Sequence, residues 1–204
     1  MPQLDSEEYL VGPDFEEAYY NRGVAHASLG EYEQAVADFA EAIRLNPDYL
    51  EAYQNRGFAH ANLGRPEQTI ADFTECIRLD PNSSMAYCHR GLAHTELSEF
   101  EEAMGDFAEA IRLDPKSAMA YYNRGLTHIE LDRYEDAIAD LTQALLFDPD
   151  DVDARYNRGL AHYYLDQSEE AIADFQSYLR LAPPNEELWR TQAQEYIDEM
   201  RKEG

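Results

Sequence analysis

From Ala18 to Asp48 the chain reads AYYNRGVAHASLGEYEQAVADFAEAIRLNPD. Apolar and small residues recur in it at helical spacing up to Ser28, the polar break LGEY interrupts them, and the same spacing resumes from Tyr32 to Leu45. The pattern predicts a hairpin of two helices. Gly30 and Gly64 stand at the break, where a helix end favours a left-handed residue, and Ser98, Asp132 and Asp166 are less comfortable substitutes there. Pro47, Pro81, Pro115, Pro149 and Pro183 cannot continue a helix and restrict the residue before them, so each closes a unit.

The hairpin pattern recurs with a fixed period. Gly23, Gly57, Gly91, Gly125 and Gly159 are 34 residues apart, and so are Phe39, Phe73, Phe107, Leu141 and Phe175. Small residues such as Gly23 and Ala25 let the two arms approach, while Phe39 and Tyr32 fill the space between them. A single hairpin cannot bury both of its faces, so neighbours must stack.

The order of aromatic, Gly, aromatic or His, Gly, Tyr, Ala, Phe, Ala and Pro within 34 residues resembles the tetratricopeptide repeat family. The resemblance covers residues 16–185 as five repeats, 16–49, 50–83, 84–117, 118–151 and 152–185. It implies an all-α fold, a right-handed superhelical solenoid of stacked antiparallel helix hairpins whose first helices line a concave groove. Departures from the pattern cluster. Pro66 and Ser168 replace the aromatic found at Tyr32, Phe100 and Tyr134, and Pro66 suits the first turn of a helix. Tyr178 replaces the small residue found at Ala42, Ala110 and Ala144, which suggests that the fifth repeat meets something other than a sixth. In residues 186–204, Trp189, Ala193, Tyr196, Ile197 and Met200 share one stripe, as expected of a C-terminal capping helix. Residues 1–15 carry no repeat and are expected to form an N-terminal arm.

Composition narrows the function. The 204 residues carry 42 acidic and 16 basic side chains, a formal net charge of -26, which repels nucleic acid and anionic membrane surfaces and favours a basic or apolar partner. The start MPQLDSEEYL has no positive or apolar leader, and the reading is of a cytoplasmic protein. Cys76 and Cys88 form no CxxC pair. No phosphate loop, zinc-protease helix or nucleophile elbow is present, so no enzymatic activity and no cofactor or metal is expected. Asp148, Asp150, Asp151 and Asp153 lack the Gly and distant Glu of a calcium loop and read better as helix caps.

Each unit pairs an Arg with an Asp 16 residues on: Arg22 with Asp38, Arg56 with Asp72, Arg90 with Asp106, Arg124 with Asp140 and Arg158 with Asp174. Bidentate bridges between the arms are the structural reading, and anion-binding arginines are the alternative. His26, His60, His94, His128 and His162 recur once per unit. Packed helices lie roughly 8–10 Å apart, whereas metal ligands lie about 2 Å from one ion, so these rings cannot share a metal. They read as packed rings, with pH sensing as the alternative.

The first helices also present a common face. Its candidate groove residues are Tyr20, Asn21, Val24, Gln54, Asn55, Phe58, Cys88, His89, Leu92, Tyr122, Asn123, Leu126, Tyr156, Asn157, Leu160 and Tyr163. Exposed, this apolar face marks a site for a partner peptide or helix, and the competing reading is that part of it packs against neighbouring helices. The asparagines carry the same two readings, bonds to a ligand backbone or to neighbouring helices. Tetratricopeptide adaptors that grip the acidic tails of heat-shock chaperones use a Lys and Asn clamp, but Tyr20, Gln54, Cys88, Tyr122 and Tyr156 stand where its lysine is expected. The expected function is an interaction scaffold or adaptor of another type. Alternatives are a self-assembling homo-oligomer whose groove holds its own or a neighbour's arm, or a non-catalytic subunit of a larger complex.

Overall fold

The computed structural model describes residues 15–203, and all regular structure among them is helical. The expected N-terminal arm lies outside the described residues, except for Phe15, which opens the first helix. The chain divides into two compact units, 1–99 and 100–204.

The N-terminal unit holds α1 (Phe15–Ser28), α2 (Tyr32–Leu45), α3 (Leu50–Asn62), α4 (Pro66–Leu79) and α5 (Ser84–Glu96). Helices α1 and α2 form one hairpin and α3 and α4 the next, while α2 packs on α3 and α4 on α5. The C-terminal unit holds α6 (Phe100–Leu113), α7 (Ala118–Glu130), α8 (Tyr134–Phe147), α9 (Val152–Tyr164), α10 (Ser168–Leu181) and α11 (Glu187–Glu203). Here α7 pairs with α8 and α9 with α10, α8 packs on α9, and α11 lies against α10.

Sequence determines each helix end. Pro66 opens α4 from its first turn, where its missing N–H costs nothing. Ser83, Ser117 and Asp151 cap α5, α7 and α9 by accepting the backbone N–H of Ala86, Ala120 and Ala154. At the hairpin turns Gly30 and Gly64 take φ of +76° and +64°, and Ser98, Asp132 and Asp166 take φ of 60°, 55° and 58°. The left-handed residue lets the chain double back: Gly30 N donates to Ala27 O at 3.0 Å and Glu31 N to His26 O at 2.9 Å. The same bond to a histidine carbonyl recurs from Arg65, Glu99, Arg133 and Gln167.

Between the arms the backbones come close. A Cβ on Gly23 would lie 2.7 Å from the Phe39 ring, and one on Gly125 would lie 2.9 Å from Leu141 Cγ. Phe39, Phe73, Leu141 and Phe175 are fully buried as a result. In the four Arg–Asp pairs that lie within one unit, the carboxylate is buried and the bridge spans both arms. Arg124 Nε and Nη2 each donate to Asp140 at 2.7 Å, Arg158 makes the same pair of bonds to Asp174, and Arg56 Nη2 donates to Asp72 Oδ1 at 2.6 Å. Arg22 does likewise to Asp38, but its side chain is 61% exposed against 22% for Arg56. Tyr19, Tyr53 and Tyr121 sit under Arg22, Arg56 and Arg124 with 5.3–5.8 Å to the ring centroid.

The histidine rings belong to the same turns. Because each histidine carbonyl accepts the N–H five residues on, that residue's side chain returns to the ring. His26 Nδ1 lies 2.5 Å from Glu31 Oε2, His94 Nδ1 2.7 Å from Glu99 Oε2, and His162 Nδ1 2.6 Å from Gln167 Oε1. In the other two turns the returning residue is Arg65 or Arg133, and the buried Nδ1 of His60 and His128 has no hydrogen-bond partner among the described residues. Burial holds both rings below the ordinary histidine pKa; Asp72 and Glu33 oppose the shift at His60, and Asp140 and Asp136 oppose it at His128, while Arg56, Arg65, Arg124 and Arg133 reinforce it.

A lowered folded-state pKa gives stability a definite pH dependence. Below about pH 6.5 the unfolded chain takes up protons that the folded rings refuse, so stability is present above that pH and falls as pH drops toward the folded value. The denaturation midpoint is expected to fall more steeply from about pH 7 to pH 5 in the parent than in a His60→Phe, His128→Phe variant. Parallel slopes in urea titrations would refute the assignment.

Candidate functional site

The candidate groove residues fall into two sets, one in each unit. In the N-terminal unit, Tyr20 is half-buried against Phe39 and Tyr49, with ring centroids at 5.8 and 5.0 Å. Its hydroxyl accepts a bond of 3.1 Å from Asn55 Nδ2, which also donates to Glu51 O at 2.8 Å. Asn21 is exposed and Gln54 half-buried. Val24 packs beside Ala35, Phe39 and Ala59. Phe58 meets the His89 ring edge-on at 4.7 Å, and His89 stacks on Phe73 at 5.2 Å. His89 is therefore half-buried among rings, and burial lowers its pKa. Leu92 is half-buried and Cys88 fully buried.

In the C-terminal unit Leu126 is half-buried. Asn123 is buried and donates to Met119 O at 2.9 Å. Asn157 Nδ2 donates to Asp153 O at 2.8 Å and lies 3.4 Å from the Tyr122 hydroxyl. Tyr163 packs on Tyr196 at 4.7 Å. Tyr156 is 6% exposed, surrounded by Phe175, Tyr178 and Trp189, and its hydroxyl donates to Gln192 Oε1 at 3.1 Å.

The apolar face is thus narrower than helical spacing suggests. Cys88, Asn123 and Tyr156 are buried rather than presented, and Asn55 and Asn157 bind their own helix and a tyrosine of the preceding hairpin. Tyr156 is covered because α11 lies over the last hairpin: Ala193, Ile197 and Met200 enter one cluster with Tyr156, Phe175 and Tyr178. Tyr178, the departure noted in the sequence, meets the approach to α11, where its hydroxyl donates to Glu186 Oε2 at 2.9 Å.

One opening on this face of the unit is a cleft of about 480 Å³. Its walls are Tyr122 and Ile129 from α7, Tyr156 and Leu160 from α9, and the half-exposed Trp189 from α11. Glu130, Asp153 and Glu186 add carboxylates. Burial, helped by Asp151 and Glu186, raises the Asp153 pKa, and burial with Asp153 and Asp151 pushes the Tyr122 phenol up to about 12. Helical spacing puts Ile129 and Asp153 on this face, but Tyr178, Glu186 and Trp189 become part of the wall only through the placement of α11.

The Cys76 thiol is pushed up to about 12 by burial. Among the described residues no group of three or more His, Cys, Asp or Glu is placed to hold a metal ion. In the loop DPDDVD, Asp151 instead caps α9. No described helix is long and apolar enough to cross a membrane.

Comparison with protein families gives matches described as tetratricopeptide repeat over residues 16–49, 50–83 and 122–186, and as TPR repeat over 91–132. The chain belongs to the tetratricopeptide repeat (TPR) family. Solved structures agree on the fold. A MamA fragment from Desulfovibrio magneticus RS-1 aligns with a TM-score of 0.77 at 23% identity, covering 84% of this TPR chain and 97% of that one. TTC0263, a thermophilic TPR protein of Thermus thermophilus, aligns with a TM-score of 0.70 at 23% identity over 89% and 98% of the two chains. YrrB, described as a TPR protein with an unusual peptide-binding site, gives 0.69 at 19% identity over 87% and 90%. No curated protein matches this TPR chain.

Proposed function

We propose that this TPR protein is a non-catalytic interaction scaffold that binds a segment of a partner protein, with the cleft of the C-terminal unit as its principal seat. In this reading residues 16–185 act as five repeats, residues 186–204 as the cap, and Tyr122, Leu126, Asn157, Leu160 and Tyr163 as the groove residues of that unit. The observation that carries it is the cleft itself, whose Tyr122, Ile129, Leu160 and Trp189 offer apolar surface beside carboxylates. Burial of such surface drives association at about 25 cal/mol per Å² before ordering costs. The peptide-binding site printed for YrrB supports the same class of function. With a net charge of -26 the chain favours basic or apolar segments, and its setting is cytoplasmic.

Peptides selected from a random library on the intact protein test the proposal. A Tyr122→Ala, Trp189→Ala variant with an unchanged circular dichroism spectrum is expected to bind them about 30-fold more weakly, as loss of two anchors at an interface centre does. Undiminished affinity refutes the cleft as the seat. The self-assembly alternative predicts instead that removing residues 1–15 changes the oligomeric state, read from the mass in solution.

A further inference from the structure

The cleft of the C-terminal unit has a chemical bias that goes beyond shape. None of its ten lining residues is basic, and three are carboxylates contributed by separate stretches of chain: Glu130 at the end of α7, Asp153 in the first turn of α9, and Glu186 before α11. Among the described residues none of the three is ion-paired with a Lys, Arg or His side chain.

The hydrogen-bonding inventory points the same way. Both phenols deepest in the wall are committed as donors inside the protein, Tyr156 to Gln192 and Tyr178 to Glu186. The Asn157 amide nitrogen is directed at Asp153 O and the Tyr122 hydroxyl, so what this side chain offers a ligand is its carbonyl. With three carboxylates and the Asn157 carbonyl against the Tyr122 hydroxyl and the Trp189 N–H, the cleft presents more acceptors than donors and favours an occupant rich in donors. Tyr156 and Trp189 meet edge-to-face at 5.4 Å, and the half-exposed indole supplies the ring best suited to hold a cation.

Resting on the reading of this cleft as the partner's seat, we infer that it recognises a basic side chain of the bound segment, arginine in preference to lysine. A guanidinium brings five N–H donors in a planar fork that matches several acceptors and stacks on an aromatic face, whereas an ammonium is a compact charge that holds its hydration. A segment whose arginine lies between apolar residues fits both parts of the wall. The chain's own residues 1–14 contain no Lys or Arg but include Asp5, Glu7, Glu8 and Asp14, so they are the wrong charge for it.

Trp189 is the only tryptophan of the chain, so its fluorescence reports on this cleft. The probes are three amidated tripeptides, acetyl-Leu-Xaa-Leu, with arginine, lysine or neutral citrulline in the centre. The arginine probe is expected to give a saturable change and to bind about tenfold more tightly than the citrulline probe, with lysine between them. An Asp153→Asn, Glu186→Gln variant should lose this preference, while Glu101→Gln, Glu102→Gln, which removes the same charge from α6, should keep it. Equal binding of arginine and citrulline overturns the inference but leaves the peptide-binding reading intact. A preference that survives in Asp153→Asn, Glu186→Gln, or weakens equally in both variants, also overturns it by assigning the effect to overall charge. If no tripeptide responds while library-selected peptides do, the cleft has no side-chain subsite of this kind. Failure of both sets refutes the peptide-binding reading itself.

Discussion

Arg56→Met is expected to destabilise the N-terminal unit by about 3–5 kcal/mol, the usual cost of leaving a buried charge without its partner. Asp72 is only 2% exposed, and the Arg56 guanidinium meets both of its oxygens, with the Tyr53 ring 5.5 Å away. Removing the guanidinium strands a carboxylate that is buried beside the His60 ring, whose own pKa burial lowers. The double change Arg56→Met, Asp72→Leu should recover most of the loss, because replacing both partners by apolar groups avoids the stranded charge. Arg22→Met supplies an internal contrast, since the same bridge exists there but its side chain is largely exposed; its midpoint should fall less. Urea titrations followed by far-UV circular dichroism measure all three. An Arg56→Met midpoint equal to the parent's would remove the clamp from the account of stability.

What the sequence makes legible here is whatever repeats. The period places a left-handed residue at Gly30, Gly64, Ser98, Asp132 and Asp166 because the turn must double back at the same step each time, and the chain accepts a strained Ser or Asp rather than shift register. Gly23 and Gly125 are likewise readable as close-approach positions, since only a missing Cβ lets Phe39 or Leu141 fill the hairpin. The histidine partners are less obvious. Residues five apart do not share a helix face, so Glu31, Glu99 and Gln167 reach His26, His94 and His162 only because the turn reverses the chain between them.

The candidate site is legible only in part, for a different reason. Helical spacing puts Tyr122, Asn157 and Leu160 on one face, and they do line the cleft. Spacing within one helix carries no record of what lies over it. Tyr156 occupies the same repeat position as Tyr122, yet α11 buries it, and the cleft wall is completed by Glu186 and Trp189 from outside the repeat pattern. One signal was available: Tyr178 breaks the small-residue rule of Ala42, Ala110 and Ala144, which marks the last hairpin as packing on something other than another hairpin.

Tyr156→Ala is expected to cost the C-terminal unit about 3–5 kcal/mol, the range for truncating a buried aromatic ring to a methyl group. The ring contacts Phe175, Tyr178 and Trp189 at centroid distances of 5.1–5.5 Å, so its loss opens a cavity where α9, α10 and α11 meet. Tyr156→Phe removes only the bond to Gln192 and should cost about 1 kcal/mol. Urea unfolding followed by Trp189 fluorescence measures both, because the reporter stands against the altered ring. The result also decides how binding data on this wall are interpreted. If Tyr156→Ala melts the seat of α11, its loss of a bound peptide reflects a lost cleft rather than a lost contact, and only the more exposed Trp189 and the half-buried Tyr122 are sound probes of recognition. If instead Tyr156→Ala unfolds at the parent's midpoint, the ring is not what seats α11, and Tyr156 becomes a legitimate anchor for the partner segment alongside Tyr122.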